Sequence, residues 1–249
     1  MARNEVFYDE HPFDWVESYR PEELRAVMAP LLVALVESLP QHAQVFDVGC
    51  GGGRVMSYLS FRGHACIGLD RSARSVQLMR KHSGRPGVVA DNLRLPLAGD
   101  SVEYVISDGV IHHTEDPAQA FRENCRILRP GGTLYLAVYK PGGRYEFLYR
   151  TPGALFRWGL RSPATRWLVH ATAVPLYFAV HRLRSRGKVT WRGARNLFHD
   201  YFASPRVAFL SREMVEQWAQ GSGMEVVSYD PTPGLNIHAF VMRKRGAAE

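Results

Sequence analysis

Asp47, Gly49, Gly51 and Gly53 alternate along the chain directly after a short apolar run, Val45 to Val48. A glycine inside a regular element costs about 0.5–1 kcal/mol relative to alanine, so a cluster of them implies a tight turn or a ligand laid against bare main chain. The dinucleotide spacing G-x-G-x-x-G is not met: from Gly49 it ends on Arg54, and from Gly51 on Met56. No G-x-x-x-x-G-K-[ST] phosphate loop is present either. What remains is Asp-x-Gly-x-Gly-x-Gly, followed by Asp70 seventeen residues after its last glycine.

These residues need elements to hold them. Pro21-Glu22-Glu23 opens an amphipathic helix to about Leu39, with proline and acids where a helix N-terminus favours them. Val45–Val48 is a strand entering the glycine turn, and Val55–Phe61 the helix leaving it. Residues 64–70 form a second strand ending on Asp70, and Ser72 begins the next helix. Residues 87–91 form a third strand ending on Asp91, and 102–110 a fourth. Asp116-Pro117 caps a helix that stops at Arg129–Gly132, and Thr133–Tyr139 is a fifth strand. Strands alternating with helices at this spacing give an α/β fold with a doubly wound, parallel sheet. Ligands then bind at the carboxyl edge of the strands, where the glycine turn, Asp70, Asp91 and Ser107–His113 all fall. After Tyr139 the alternation stops for about sixty residues. It resumes with a helix capped by Ser211 and two strands, 224–229 and 237–243, joined by a turn at "DPTPG".

Five segments, in order, resemble the class I S-adenosylmethionine-dependent methyltransferases. They are "VFDVGCGGG" (45–53), "GLDRS" (68–72), "ADNLRLPL" (90–97), "DGVIHHTEDP" (108–117) and "ILRPGGTLYLAVY" (127–139), and the likeness extends over nearly the whole chain. The resemblance implies a Rossmann-like methyltransferase fold, a mostly parallel seven-stranded sheet with a helical lid inserted after strand five. It implies four regions: a helical cap (1–40) contributing to the substrate pocket, a cofactor-binding core (41–140), a basic, aromatic-rich lid (141–205) and the C-terminal part of the core (206–249). S-adenosyl-L-methionine is the implied cofactor, and no metal is expected. Asp47, Gly49, Cys50, Gly51 and Gly53 would receive its methionine part, whose carboxylate suits the N-terminus of the following helix. Asp70, with Arg71 beside it, would accept the ribose hydroxyls. Asp91, Asn92 and Leu93 would meet the adenine, and Asp108 and Gly109 complete the site. Cys50 is read as packing. The family's Phe-Asp at the start of the fourth strand is Val102-Glu103 here and is read as structural.

Methyl transfer from a sulfonium is an in-line displacement whose main demand is alignment. A general base is needed only where the acceptor must lose a proton. His112 and His113, directly after the fourth strand, are the candidates, with His199 as a further choice. Packing against the cofactor and hydrogen bonding to the backbone are the alternative roles for this histidine pair. Tyr8, Phe13, Trp15 and Tyr19 from the N-terminal segment, with Tyr139, Arg144, Tyr149 and Tyr201, are expected to shape the acceptor pocket.

Composition narrows the function classes. An apolar fraction of 46% supports a full core, and three cysteines without a CxxC pair indicate a reducing compartment, expected to be the cytoplasm. No apolar targeting segment opens the chain, and Val169–Val180 is too short and interrupted to span a bilayer. The net charge of +7 is concentrated: residues 140–195 hold twelve of the 31 basic residues and one of the 24 acids. Three acceptors follow from that segment: a small molecule, anionic ones included; a lipid or quinone at a membrane surface; or tRNA. A solvated lid face without a partner, and a non-catalytic cofactor-binding regulatory module, stand as alternatives. The small-molecule methyltransferase is the reading preferred here.

Overall fold

The computed structural model describes residues 3–13, 19–184, 189–231 and 236–246. Seven strands form one sheet: β1 (Gln44–Val48), β2 (Ala65–Asp70), β3 (Gly87–Val89), β4 (Val102–Asp108), β5 (Leu128–Tyr139), β6 (Met224–Asp230) and β7 (Ile237–Lys244). Their order is β3-β2-β1-β4-β5-β7-β6. All pairs are parallel except those of β7, which runs antiparallel to both β5 and β6. The expected doubly wound, mostly parallel sheet is what the chain forms.

Alternate strand residues serve opposite faces, so both faces must be apolar. Val45, Ile106, Tyr135 and Ala137 pack with Leu24, Leu32, Val36, Met56, Leu59 and Met79. Those residues come from α2 (Pro21–Val27), α3 (Pro30–Ser38), α4 (Arg54–Phe61) and α5 (Ala73–Ser83). Phe46, Val48, Val105, Leu134, Leu136 and Phe240 pack on the other face with Phe121 and Val215, from α6 (Pro117–Ile127) and α11 (Arg212–Gly221).

The helix expected over residues 21–39 is two helices. Met28 and Ala29 are extended, with ψ near 152° and 135°, because Pro30 disfavours a helical residue before it. Strand β5 also begins earlier than expected, at Leu128, its pairing to β4 shifting register between Val102 and Tyr104. The helical segment expected after Tyr139 contains, among the described residues, α7 (Arg144–Arg150), α8 (Pro152–Gly159), α9 (Pro163–Arg184) and α10 (Trp191–Phe198). The last runs into a π-helical turn, His199–Ala203. Ahead of the core lies α1 (Arg3–Glu10).

The glycine turn sits where the strand order reverses, between β1 and its neighbours β2 and β4. Gly53 closes it with φ +91°, and a Cβ there would lie 2.8 Å from the Met79 Cα. Its glycine identity is therefore required by backbone conformation and by the approach of α5 together. Gly53→Ala is expected to cost about 2–4 kcal/mol, from left-handed strain plus overpacking. A lower denaturant midpoint with an unchanged slope would show it.

Candidate active site

A cavity of about 480 Å³ opens along the carboxyl edge of the sheet. One end is built by the glycine turn and the ends of β2 and β3. Gly49, Gly51, Leu69, Asp70, Arg71, Asp91, Asn92 and Leu93 line it, with Asp108 and Gly109 from the end of β4. The turn is tied to β2 by Gly49 and Cys50, whose N–H groups donate to the Leu69 carbonyl at 2.6 and 3.0 Å.

Asp70 is the hinge of this end. One carboxylate oxygen accepts from the Gly51 N–H and the other from the Ser72 N–H, both at 2.9 Å. Burial raises its pKa while those amides hold it down. Each oxygen keeps further lone-pair capacity for a ligand. Asp91 accepts from the Leu93 N–H, which pins the loop after β3. The Asn92 carbonyl oxygen is engaged by Asn124 of α6, while its amide nitrogen is buried without a hydrogen-bond partner.

Beside the turn, Asp47 lies in a side pocket of about 20 Å³ with Tyr19, Gly49, Cys50, Gly52, Arg54 and Asp108. Arg54 pairs with Asp108. The buried Oδ2 of Asp47 has no hydrogen-bond partner, and burial with the nearby Asp108 charge pushes its carboxyl up to about 8. Tyr19 donates its hydroxyl proton to the Gly52 carbonyl at 3.1 Å, which places it on the outer side of the turn.

An N-terminal strap crosses the same turn. The Gly52 N–H donates to the Phe13 carbonyl at 2.9 Å. Asp9 accepts from the Ser72 hydroxyl at 2.6 Å, and Tyr8 and Phe13 both line the cavity. Trp15 lies outside the described residues.

The far end of the cavity is aromatic and holds His113 beside Asp200. His113, in a 3₁₀ turn over Ile111–His113, directs Nδ1 at the Arg206 carbonyl, 3.1 Å away, so Nδ1 carries the ring proton and Nε2 is the basic atom. That Nε2 lies 3.9 Å from Asp200 Oδ1. The other oxygen of Asp200 accepts from the Tyr139 hydroxyl at 3.4 Å. Burial lowers the His113 pKa against the pull of Asp200, and raises that of Asp200 against the pull of His113. Tyr139, Tyr201, Tyr177 and His181 complete this wall.

Other sequence candidates take different places. His112 is fully buried beneath the wall: its Nδ1 accepts from the Tyr139 N–H, and burial holds it well below the usual histidine range. His199 faces away, stacked on His11 with ring centres 3.8 Å apart, and is lowered to about 3 by burial and neighbouring histidines. The Tyr149 hydroxyl donates to the Ser204 carbonyl behind the cavity, and Arg144 is exposed at the start of α7. Asp200, Tyr177 and His181 were not anticipated. Asp200 had a faint signal as an acid inside the aromatic run "FHDYF". The wide π turn is what directs both Asp200 and Tyr201 into the cavity.

Residues 46–136 match the model of a family described as a methyltransferase domain. The mouse tRNA (carboxymethyluridine(34)-5-O)-methyltransferase is 34% identical over 47% of this chain and 18% of its own length. The malonyl-[acyl-carrier protein] O-methyltransferase of Methylococcus capsulatus is 33% identical over 46% of this chain and 44% of its own. The chain thus spans less than half the length of these two relatives. A Haloferax volcanii methyltransferase solved with its Trm112 activator superposes with a TM-score of 0.59 at 17% identity, covering 99% of this chain and all of that one. Residues 46–136 thus carry a methyltransferase domain, on a fold that the Haloferax protein shares over its whole length.

The residues of this methyltransferase domain fit the cofactor that the family implies. The unpartnered Asp47 oxygen beside the glycine turn would suit a cationic amino group. Asp70, a carboxylate at the end of the next strand, would suit the ribose hydroxyls, and the unpaired amide nitrogen of Asn92 would suit a ring nitrogen of the adenine. A proton linkage follows from the Asp47 value. A cationic ligand binds the deprotonated carboxyl, so affinity for S-adenosylmethionine is expected to rise with pH and level off above about 8. Calorimetry in buffers of different ionisation enthalpy should register proton release near neutrality, and Asp47→Asn should abolish that release.

Proposed function

We propose that this chain transfers the methyl group of S-adenosylmethionine to a small-molecule acceptor that loses its proton to His113. The bound cofactor supplies an electrophilic methyl group, and what the protein adds is placement. Asp47, Asp70 and Asn92 would hold the cofactor at one end, and the tyrosine wall would hold the acceptor at the other. Residues 144–184 and 189–203 act as a lid and Tyr8–Phe13 as a strap, together excluding water. Such orientation can lower a barrier by about 7–11 kcal/mol.

One observation carries the reading: Asp70 and the His113–Asp200 pair line the same cavity. His113 Nε2 is unprotonated at neutral pH because burial disfavours its cation. On taking a proton it becomes a cation 3.9 Å from Asp200, which stabilises the charge as it forms. Tyr139 keeps the Asp200 carboxylate turned toward the ring. A small acceptor is favoured over a polynucleotide because the reacting end is enclosed: the side chains of His113 and Asp200 are only 12% and 9% exposed.

The direct test is transfer of label from methyl-labelled S-adenosylmethionine into the small-molecule fraction of a cell extract. Label appearing only in RNA or protein would overturn the acceptor class. Cofactor binding with no transfer to any fraction would overturn the enzyme and favour a regulatory binding module.

A further inference from the structure

Helix α9 has a second apolar face that the core does not use. Its inward residues, His170, Val174, Tyr177 and His181, follow helical spacing toward the π turn and the cavity. On the opposite side Leu168, Leu176, Val180 and Leu183 recur at intervals of eight, four and three residues, with Thr172 on the intervening turn, and all four are exposed, Leu183 by 80%. Trp167, on the side of the helix that carries His170 and Val174, is 71% exposed, and Trp158 of neighbouring α8 62%. Exposed arginines frame the stripe: Arg161 and Arg166 at one end, Arg184 at the other. A solvated lid face would carry polar residues at these positions.

We infer that the outer face of α8 and α9 docks on an anionic lipid bilayer, lying in its interface. The exposed leucines and Val180 supply the part that enters the acyl boundary, and the flanking arginines supply the attraction to phosphate headgroups. The concentration of positive charge over residues 140–195 complements such a surface. It opposes a second copy of the chain on the same face, where like charges would meet. RNA fits less well, because bare aliphatic side chains offer nothing to a phosphate or to a base edge. Among the described residues no helix is long and apolar enough to cross a membrane, so the contact is with one leaflet. This inference stands on the outer face alone and does not depend on the identity of the methyl acceptor.

Flotation of the full chain with vesicles tests it. With phosphatidylglycerol and phosphatidylcholine in equal parts, the protein is expected to float, and with phosphatidylcholine alone to float about tenfold less. The triple variant Leu168→Gln, Leu176→Gln, Leu183→Gln should lose about a hundredfold in partition to the mixed vesicles. Its binding of S-adenosylmethionine should be unchanged, because none of the three lines the cavity. The inference is overturned if the wild type does not float with the mixed vesicles, or if the folded variant floats equally well. It is equally overturned if the variant instead loses retention of tRNA, or loses a dimer seen by sedimentation.

Discussion

Replacing Asp70 with alanine is expected to weaken binding of S-adenosylmethionine by at least about a hundredfold. Two charge-assisted hydrogen bonds to ribose hydroxyls would be lost from a buried position, each worth about 1.5–3 kcal/mol. The same change releases the Gly51 and Ser72 N–H groups from their shared acceptor, so the glycine turn loosens as the sugar contact disappears. Asp70→Asn separates the two effects. Its amide retains one acceptor oxygen and no charge, so the turn should hold better than in the alanine variant while affinity still falls. Isothermal titration with the cofactor, beside thermal melts of both variants, reads the pair of outcomes. Alanine at this position with wild-type affinity would place the cofactor elsewhere.

The second large effect belongs to the other end of the cavity. His113→Ala should lower turnover by about 10²–10⁴-fold with cofactor affinity preserved, the range by which a positioned base contributes. Asp200→Asn keeps the shape and removes the charge facing the imidazolium, so its cost should fall on kcat rather than on binding. The pH profile supplies an independent sign. Burial lowers the His113 pKa, so the basic ring persists below the ordinary histidine range. With S-adenosylmethionine saturating, so that the proton linkage at Asp47 drops out, turnover should therefore stay level on going from pH 8 through pH 6.5 and decline only under more acid conditions. In Asp200→Asn the group that raises the His113 pKa is gone, and the decline should move further down in pH. His112→Ala provides the contrast. That ring packs under Tyr139 with ring centres 4.0 Å apart, so its removal should destabilise the fold and spare the shape of the profile.

The element pattern was readable from residues close together in the chain. Strand β1, the glycine turn and α4 follow one another within eighteen residues, and alternating apolar positions mark both sheet faces. The break in the helix before Pro30 was readable in principle from that proline, yet the amphipathic pattern on either side concealed it. The segment after Tyr139 was harder. Its arginines and aromatics announced a composition, and nothing in their spacing says that α9 turns one apolar face inward and leaves another outside.

The histidines show the same division more sharply. His112 and His113 are adjacent, and sequence places both at the ligand edge; the 3₁₀ turn over Ile111–His113 sends one ring into the interior and the other to the cavity. His199 and Asp200 are also adjacent, and the π turn assigns them opposite environments.

Taken alone, the sequence determined the sheet, the turn that enters it and the acids at its edge. Each of these follows from the periodicity of contiguous residues and from the backbone freedom of a few glycines. The tertiary structure decided which histidine reaches the cavity and that Asp200, 87 residues further along the chain, stands against it. Such contacts depend on how distant helices pack, and packing is a property of the whole core that no local spacing carries.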